Sequence, residues 1–265
     1  MIMNNSLTDY LLHLADTTLI LSHRNSEWCG HGPILEQDIA LTNISLDLLG
    51  QSRLFYQYAA QLINEKEQSV GIKAPFPLER AGGEVDEDKL AYLRTEREFK
   101  NLLLVEQPNS DWGQTILRQY LYSQFQQLLF QQLQYHNDEH VAAIATKSVK
   151  ETNYHVRWSS EWVIRLGDGT DESKQRMLHA MDELWRYTGE MFMPADYETV
   201  ANVDFNTIQE QWHENVSAVF EEAGLAIPEK TFMQNGGKTG THTEHLGYIL
   251  SDLQYMQRAY PNSEW

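Results

Sequence analysis

Two stretches of the 265-residue chain have spacings that could gather metal-binding side chains. A Glu-x-x-His pair puts carboxylate and imidazole on one helix face, where both can meet one ion. A di-iron bundle needs two such pairs plus a Glu from each of two further helices. The sequence holds a single one, Glu210 with His213. Helical periodicity sets Glu210 well away from the Ile208/Trp212/Val216 face, so it is expected in solvent. The second stretch is His242-Thr243-Glu244-His245, two nitrogens and a carboxylate with no second anchoring segment. Clusters of that kind on one helix are common by chance. His155 is different, because it falls on the inward stripe of a long helix. A lone inward histidine is more often a hydrogen-bonded core residue than a ligand. Three residues before it stands Thr152, no iron ligand, and at i−4 stands Glu151, a candidate helix-surface partner. Glu36, Asn43 and Asp47 form an approximate row on another long helix, with Gln51 close by, and read as a polar interior without histidine. A rival reading makes the chain an active oxygenase with an unconventional metal site built from Glu36, Asp47, Glu151 and His155.

Other chemistries have less support. Gly236–Gly240 lacks the spacing of either nucleotide-binding fingerprint and follows no strand. Nothing around Cys29 or the serines resembles an activated nucleophile.

The elements that must position these residues are helical. Hydrophobic period is close to 3.6 almost everywhere, with breaks at Gly and Pro. A first helix is expected from Ser6, boxed by Asp9, to the Cys29-Gly30-His31-Gly32 turn, with Leu7, Leu11, Leu14 and Leu21 on one side. Pro33 suits the start of a second, reaching about Ile63. A loop is expected from about Glu65 to Asp88, then a third helix over about Asp86 to Val105, ending before Pro108. A fourth covers about Asp111 to His136, with Ile116, Tyr120, Leu128 and Leu129 inward and many glutamines outward. A fifth covers about Asp138 to Leu166, its inward stripe reading Val141, Ala145, Ser148, Thr152, His155, Ser159, Trp162, Leu166. A sixth carries Met177 to Thr188 and a seventh Ile208 to Val219. Thr241 with Glu244 is expected to cap a last helix through about Ala259. The whole reads as an all-α bundle forming one domain over residues 1–265.

Composition narrows the partners. Against 38 Asp and Glu stand 20 Lys and Arg, a net charge of −18. That balance argues against nucleic acid and anionic membranes, whose phosphates demand a basic surplus. Cys29 is the one cysteine, so no intrachain disulfide can form, and a cytoplasmic setting is expected. No apolar run approaches the ~20 residues of a membrane span, and the N-terminus lacks an export signal.

The segments EWCGHGP, LDLLGQSR, NLLLVEQPN, KETNYH, LWRYTGE, GGKTGTHTEHLG and LQYMQRAYPNSEW carry a resemblance over essentially the whole chain. It resembles the C-type subunits of bacterial phenylacetyl-CoA epoxidase (ring 1,2-monooxygenase) complexes. The resemblance implies a ferritin-like helical bundle with additional C-terminal helices. It also implies a tight complex with a homologous A subunit that holds the di-iron centre, while the C-type chain is structural, non-catalytic and without a cofactor of its own. Electrons would come from NADPH through a reductase subunit, and the substrate would be an acyl-CoA thioester bound mainly by the partner. In A-type chains the stretch matching Asp47–Gln51 would carry a Glu-x-x-His; here those positions read Leu48 and Gln51. The second pair would fall at Thr152 and His155, where the histidine alone survives. The resemblance further places Glu98, Phe99, Lys100 and Asn101 near the bound acyl-CoA, with a loop over about 65–83 longer than expected for the family.

Overall fold

The computed structural model describes residues 3–70, 83–229, 231–260 and 263, with side chains from residue 6 onward except that of 70. Most of the expected 65–83 loop lies outside the described residues. Among the described residues there is no strand. Ten α-helices are described: α1 Met3–Ser26, α2 Leu35–Val70, α3 Glu87–Tyr92, α4 Leu103–Glu106, α5 Trp112–Leu133, α6 Glu139–Gly167, α7 Asp171–Leu184, α8 Phe205–Glu222, α9 Glu244–Leu253 and α10 Tyr255–Ala259. The architecture is an all-α bundle of ferritin-like type. Long α1 packs along α2 and α5 along α6, α2 also meets α6, and α7 and α8 lie against α5 and α6.

Local chemistry sets many of the boundaries. Asp111, Asp138 and Asp204 cap α5, α6 and α8 by accepting backbone N–H groups, and Thr170 forms a capping box with Ser173 ahead of α7. The α6 stripe is buried as expected from Val141 through Ser159. Gln37 on α2 accepts from both Trp158 (3.0 Å) and Trp162 (2.7 Å), fastening α2 to α6.

Several expectations need correction. Helix α1 is already helical at Met3, so Ser6 is no cap, and α2 starts at Leu35 and continues seven residues past Ile63 to Val70. Four glutamines of α5 do not face outward: Gln114, Gln119, Gln124 and Gln126 are buried, because α5 is packed by other helices on most sides, while Gln131 is exposed. The expected helix over 86–105 is broken. It stops at Tyr92, and after a single 3-10 turn at Glu96–Glu98 the chain runs extended at Phe99 before α4 begins. The last helix is broken at Gln254, whose fully buried amide donates to Ala91 O and Arg94 O. Helix α9 starts at Glu244, and neither Thr241 nor Thr243 caps it with its side chain.

Candidate functional site

The four positions singled out by the resemblance, Leu48, Gln51, Thr152 and His155, lie on α2 and α6. Leu48 is fully buried in the apolar core, a burial that stabilises by about 1.5–3 kcal/mol for a side chain of this size. Gln51, buried beside it, donates to Glu151 Oε2 at 2.8 Å and accepts from Gln126 Nε2 at 2.9 Å. Thr152 Oγ1 donates to Val149 O within its own helix. His155 places Nε2 3.0 Å from Asp47 Oδ2, while its buried Nδ1 has no partner. The residue types therefore form a hydrogen-bonded lock between two helices.

This geometry overturns three details expected from sequence. Glu151 pairs with Gln51 across the seam, not with His155 four residues on. The row Glu36, Asn43, Asp47 is not a polar interior: Glu36 and Asn43 are exposed and Asp47 is half-buried. The rival ligand set therefore does not assemble, and the residues present do not fit a di-iron pair, because among the described residues no three His, Cys, Asp or Glu side chains come together to hold a metal. Glu210 and His213 are exposed, as expected, with the His213 ring stacked on Phe192. The His242–His245 cluster diverges: His242 is turned into the protein and Glu244 into solvent.

A second concentration of polar groups joins α1, the 94–106 segment, the 190–198 turns and the C-terminal 236–243 segment. Asp16, fully buried on α1, accepts from Tyr56 Oη at 2.5 Å and from the backbone N–H of Lys100 at 2.8 Å, and forms an ion pair with buried Arg94. Arg94 also donates to Leu90 O and Glu98 O and lies over the Phe99 ring at 4.4 Å. These bonds replace the helical ladder at Leu93–Asn101 and explain why the expected helix breaks there. Burial and the Asp16 charge push the Tyr56 hydroxyl well above the usual phenol range.

Glu190 accepts from the N–H groups of Leu103 and Gly236, both at 2.8 Å, and burial raises its carboxyl above the usual range despite them. Lys238 Nζ contacts Glu198 at 2.9 Å and donates to Met193 O at 3.1 Å. Glu106, fully buried, accepts from Asn101 Nδ2 (3.0 Å), His242 Nδ1 (3.0 Å) and the N–H of Thr243 (2.7 Å). Glu106 thus supplies the acceptor for the start of α9 that a Thr cap was expected to supply. The close approach requires glycine. A Cβ on Gly237 would lie 2.2 Å from Asn101 O, and Gly240, at φ +80°, passes Arg97 O as closely.

The segment Glu98–Asn101 lies inside this junction. Glu98 accepts from Thr95 N–H at 2.7 Å, Phe99 is fully buried with its carbonyl on His242, and Asn101 is fully buried. Lys100 is tied through its backbone to Asp16 and His13, while its ammonium stays near the surface, 5.0 Å from the Tyr197 ring centroid and 3.7 Å from Asp9.

Reasoning from sequence missed Asp16, Arg94, Glu106, Glu190, Glu198 and Lys238. One signal was available: between Tyr10 and His23, Asp16 is the single Asp, Glu, Lys or Arg, and a lone charge in an otherwise apolar stretch of helix is buried only with a partner. The partners lie too far along the chain to be named from it.

A ferritin-like helical bundle whose α2–α6 seam is closed by an apolar side chain and a hydrogen-bonded lock is the class these observations define. The chain belongs to the phenylacetic acid catabolic protein family, whose model matches residues 2–265. It is similar to an Escherichia coli (strain K12) protein named as the C-type subunit of 1,2-phenylacetyl-CoA epoxidase, at 45% identity over 266 residues, covering 98% of this chain and 100% of the relative. Among the described residues no helix is long and apolar enough to cross a membrane.

Proposed function

We propose that this chain is the structural, non-catalytic subunit of a cytoplasmic, multicomponent di-iron monooxygenase that epoxidises the ring of phenylacetyl-CoA in aerobic phenylacetate degradation. Its partner is a homologous catalytic A subunit that holds the iron, draws electrons from NADPH through a reductase subunit and binds most of the acyl-CoA. The observation that carries this reading is the α2–α6 seam. Leu48, Gln51 and Thr152 cannot ligate iron as Glu or His would, and His155 is committed to Asp47. The similarity to a named epoxidase subunit supports the choice of complex.

The outer face of α2 supplies the docking surface. Leu35, Ile39, Leu46 and Leu49 are 71%, 51%, 60% and 46% exposed. Their spacing places all four within one stripe of the helix, and exposed apolar stripes of this kind mark protein interfaces. The occupant in this reading is the A subunit, through an interface of the obligate class, typically over ~2,000 Å².

Co-expression with an A subunit, followed by gel filtration and iron analysis of each purified chain, tests the reading. Co-elution of the two chains, iron in the partner and turnover that needs the partner are expected. A stoichiometric pair of irons in this chain, with oxygenation by this chain alone, overturns it.

A further inference from the structure

A cleft of about 960 Å³ lies between the 95–97 turn and helices α9 and α10, away from the seam and outside the buried junction. Thr95, Glu96, Arg97, Ser251, Tyr255 and Arg258 line it. Its wall is held in place from within, since Arg94 O accepts from Gln254 Nε2 at 2.9 Å and Gly240 packs directly on Arg97 O.

Among the described residues, the two arginines of this cleft form no ion pair. Arg24, Arg53, Arg94, Arg165 and Arg176 each lie against a carboxylate. Arg97 and Arg258 have no carboxylate within ion-pair distance among the described residues, and Arg258 has a single long contact, 3.4 Å to Arg94 O. Two guanidiniums with no ion pair among the described residues share one concavity, with the single carboxylate of Glu96, in a chain of net charge −18. Guanidinium is the side chain suited to bidentate capture of phosphate. The other lining groups match the rest of a nucleotide. The Glu96 carboxylate accepts hydroxyl donors, as acidic residues do from ribose. The Tyr255 ring, 63% exposed, offers a face on which a base can stack. The volume lies within the range of small-molecule sites, about 300–1,000 Å³.

We propose that this cleft binds a phosphorylated nucleotide, with phosphate on Arg97 and Arg258, sugar hydroxyls toward Glu96 and the base against Tyr255. The test uses the full chain alone, titrated calorimetrically with ADP, so its outcome is separate from subunit assembly. Saturable binding is expected, weakened by added salt and weakened about tenfold or more in R97E/R258E. Both arginines are exposed, so the variant is expected to keep its helical circular dichroism; R97K/R258K, which keeps the charge and loses the fork, should fall between the two. Adenosine and inorganic phosphate should each bind more weakly than ADP. No saturable binding at millimolar ADP, equal affinity in R97E/R258E, or adenosine or phosphate binding as tightly as ADP would each overturn the proposal.

Discussion

His242 and Glu106, 136 residues apart, meet inside the protein with Nδ1 3.0 Å from Oε2, and the other ring nitrogen of His242 lies 2.9 Å from the carbonyl of Phe99. Both nitrogens lie within hydrogen-bond distance of an acceptor, an arrangement that favours the doubly protonated ring. Burial opposes that charge, but the Glu106 carboxylate and the Phe99 carbonyl outweigh it and raise the pKa above 6.5.

A raised histidine pKa contributes stability that is fully present below the unfolded value of 6.5 and is lost as pH rises through the folded value. The thermal midpoint should therefore fall as pH is taken from neutral into the alkaline range, and H242Q should flatten that slope. His13 acts with the opposite sign: burial lowers its pKa, so its contribution is lost as pH falls below 6.5. A wild-type midpoint that does not fall as pH rises above 6.5 contradicts the raised His242 pKa.

Asp16→Asn leaves the Arg94 guanidinium buried without its counter-charge. Breaking a buried pair in this way costs about 3–5 kcal/mol, read as a lowered urea midpoint. Replacing both partners, as in Asp16→Leu with Arg94→Met, should cost less than the single change, because no orphan charge remains. If the double variant is the less stable, the pair is not what holds the 94–101 segment to α1.

Gly237→Ala puts a methyl group where Asn101 O stands, 2.2 Å from the new carbon. The C-terminal segment must move away from Leu103 and Glu190, at about 1–3 kcal/mol. Limited proteolysis should then cut near residues 230–243 faster than in the parent chain, with the α1–α2 and α5–α6 pairs still protected.

Leu46→Asp with Leu49→Asp changes the exposed stripe of α2 at two side chains that are 60% and 46% exposed, outside the buried core. Stability of the isolated chain should move by less than about 0.5 kcal/mol per site, while affinity for an A-type subunit should fall at least about tenfold. Unchanged co-elution would move the interface to another face.

Restoring ligands to the seam tests the lock. Leu48→Glu, Gln51→His and Thr152→Glu together bury two carboxylates in a helix pair whose core includes Leu41 and Ile44, which without metal costs several kcal/mol. A metal-free triple variant as stable as the parent would show that this seam is not a dry, closed contact. His155→Ala should cost about 1–3 kcal/mol and leave turnover of the assembled complex intact.

The sequence by itself determined the helices, because burying one stripe of an α-helix leaves a 3.6-residue period that needs no knowledge of the partner surface. The inward stripe of α6, the exposed Glu210 and the starts of α5 and α6 near Asp111 and Asp138 were all legible in this way. Tertiary structure alone decided which polar group meets which. Gln51 found Glu151 across 100 residues of chain and His155 found Asp47 across 108, and Glu106 took over the N–H of Thr243 that a local cap was expected to hold. The helix expected through Val105 broke for the same reason. Local propensity is worth tenths of a kcal/mol per residue, whereas a fully buried Asp16 left without Arg94 and the Lys100 N–H would cost several, so the backbone left the helix to reach the charge.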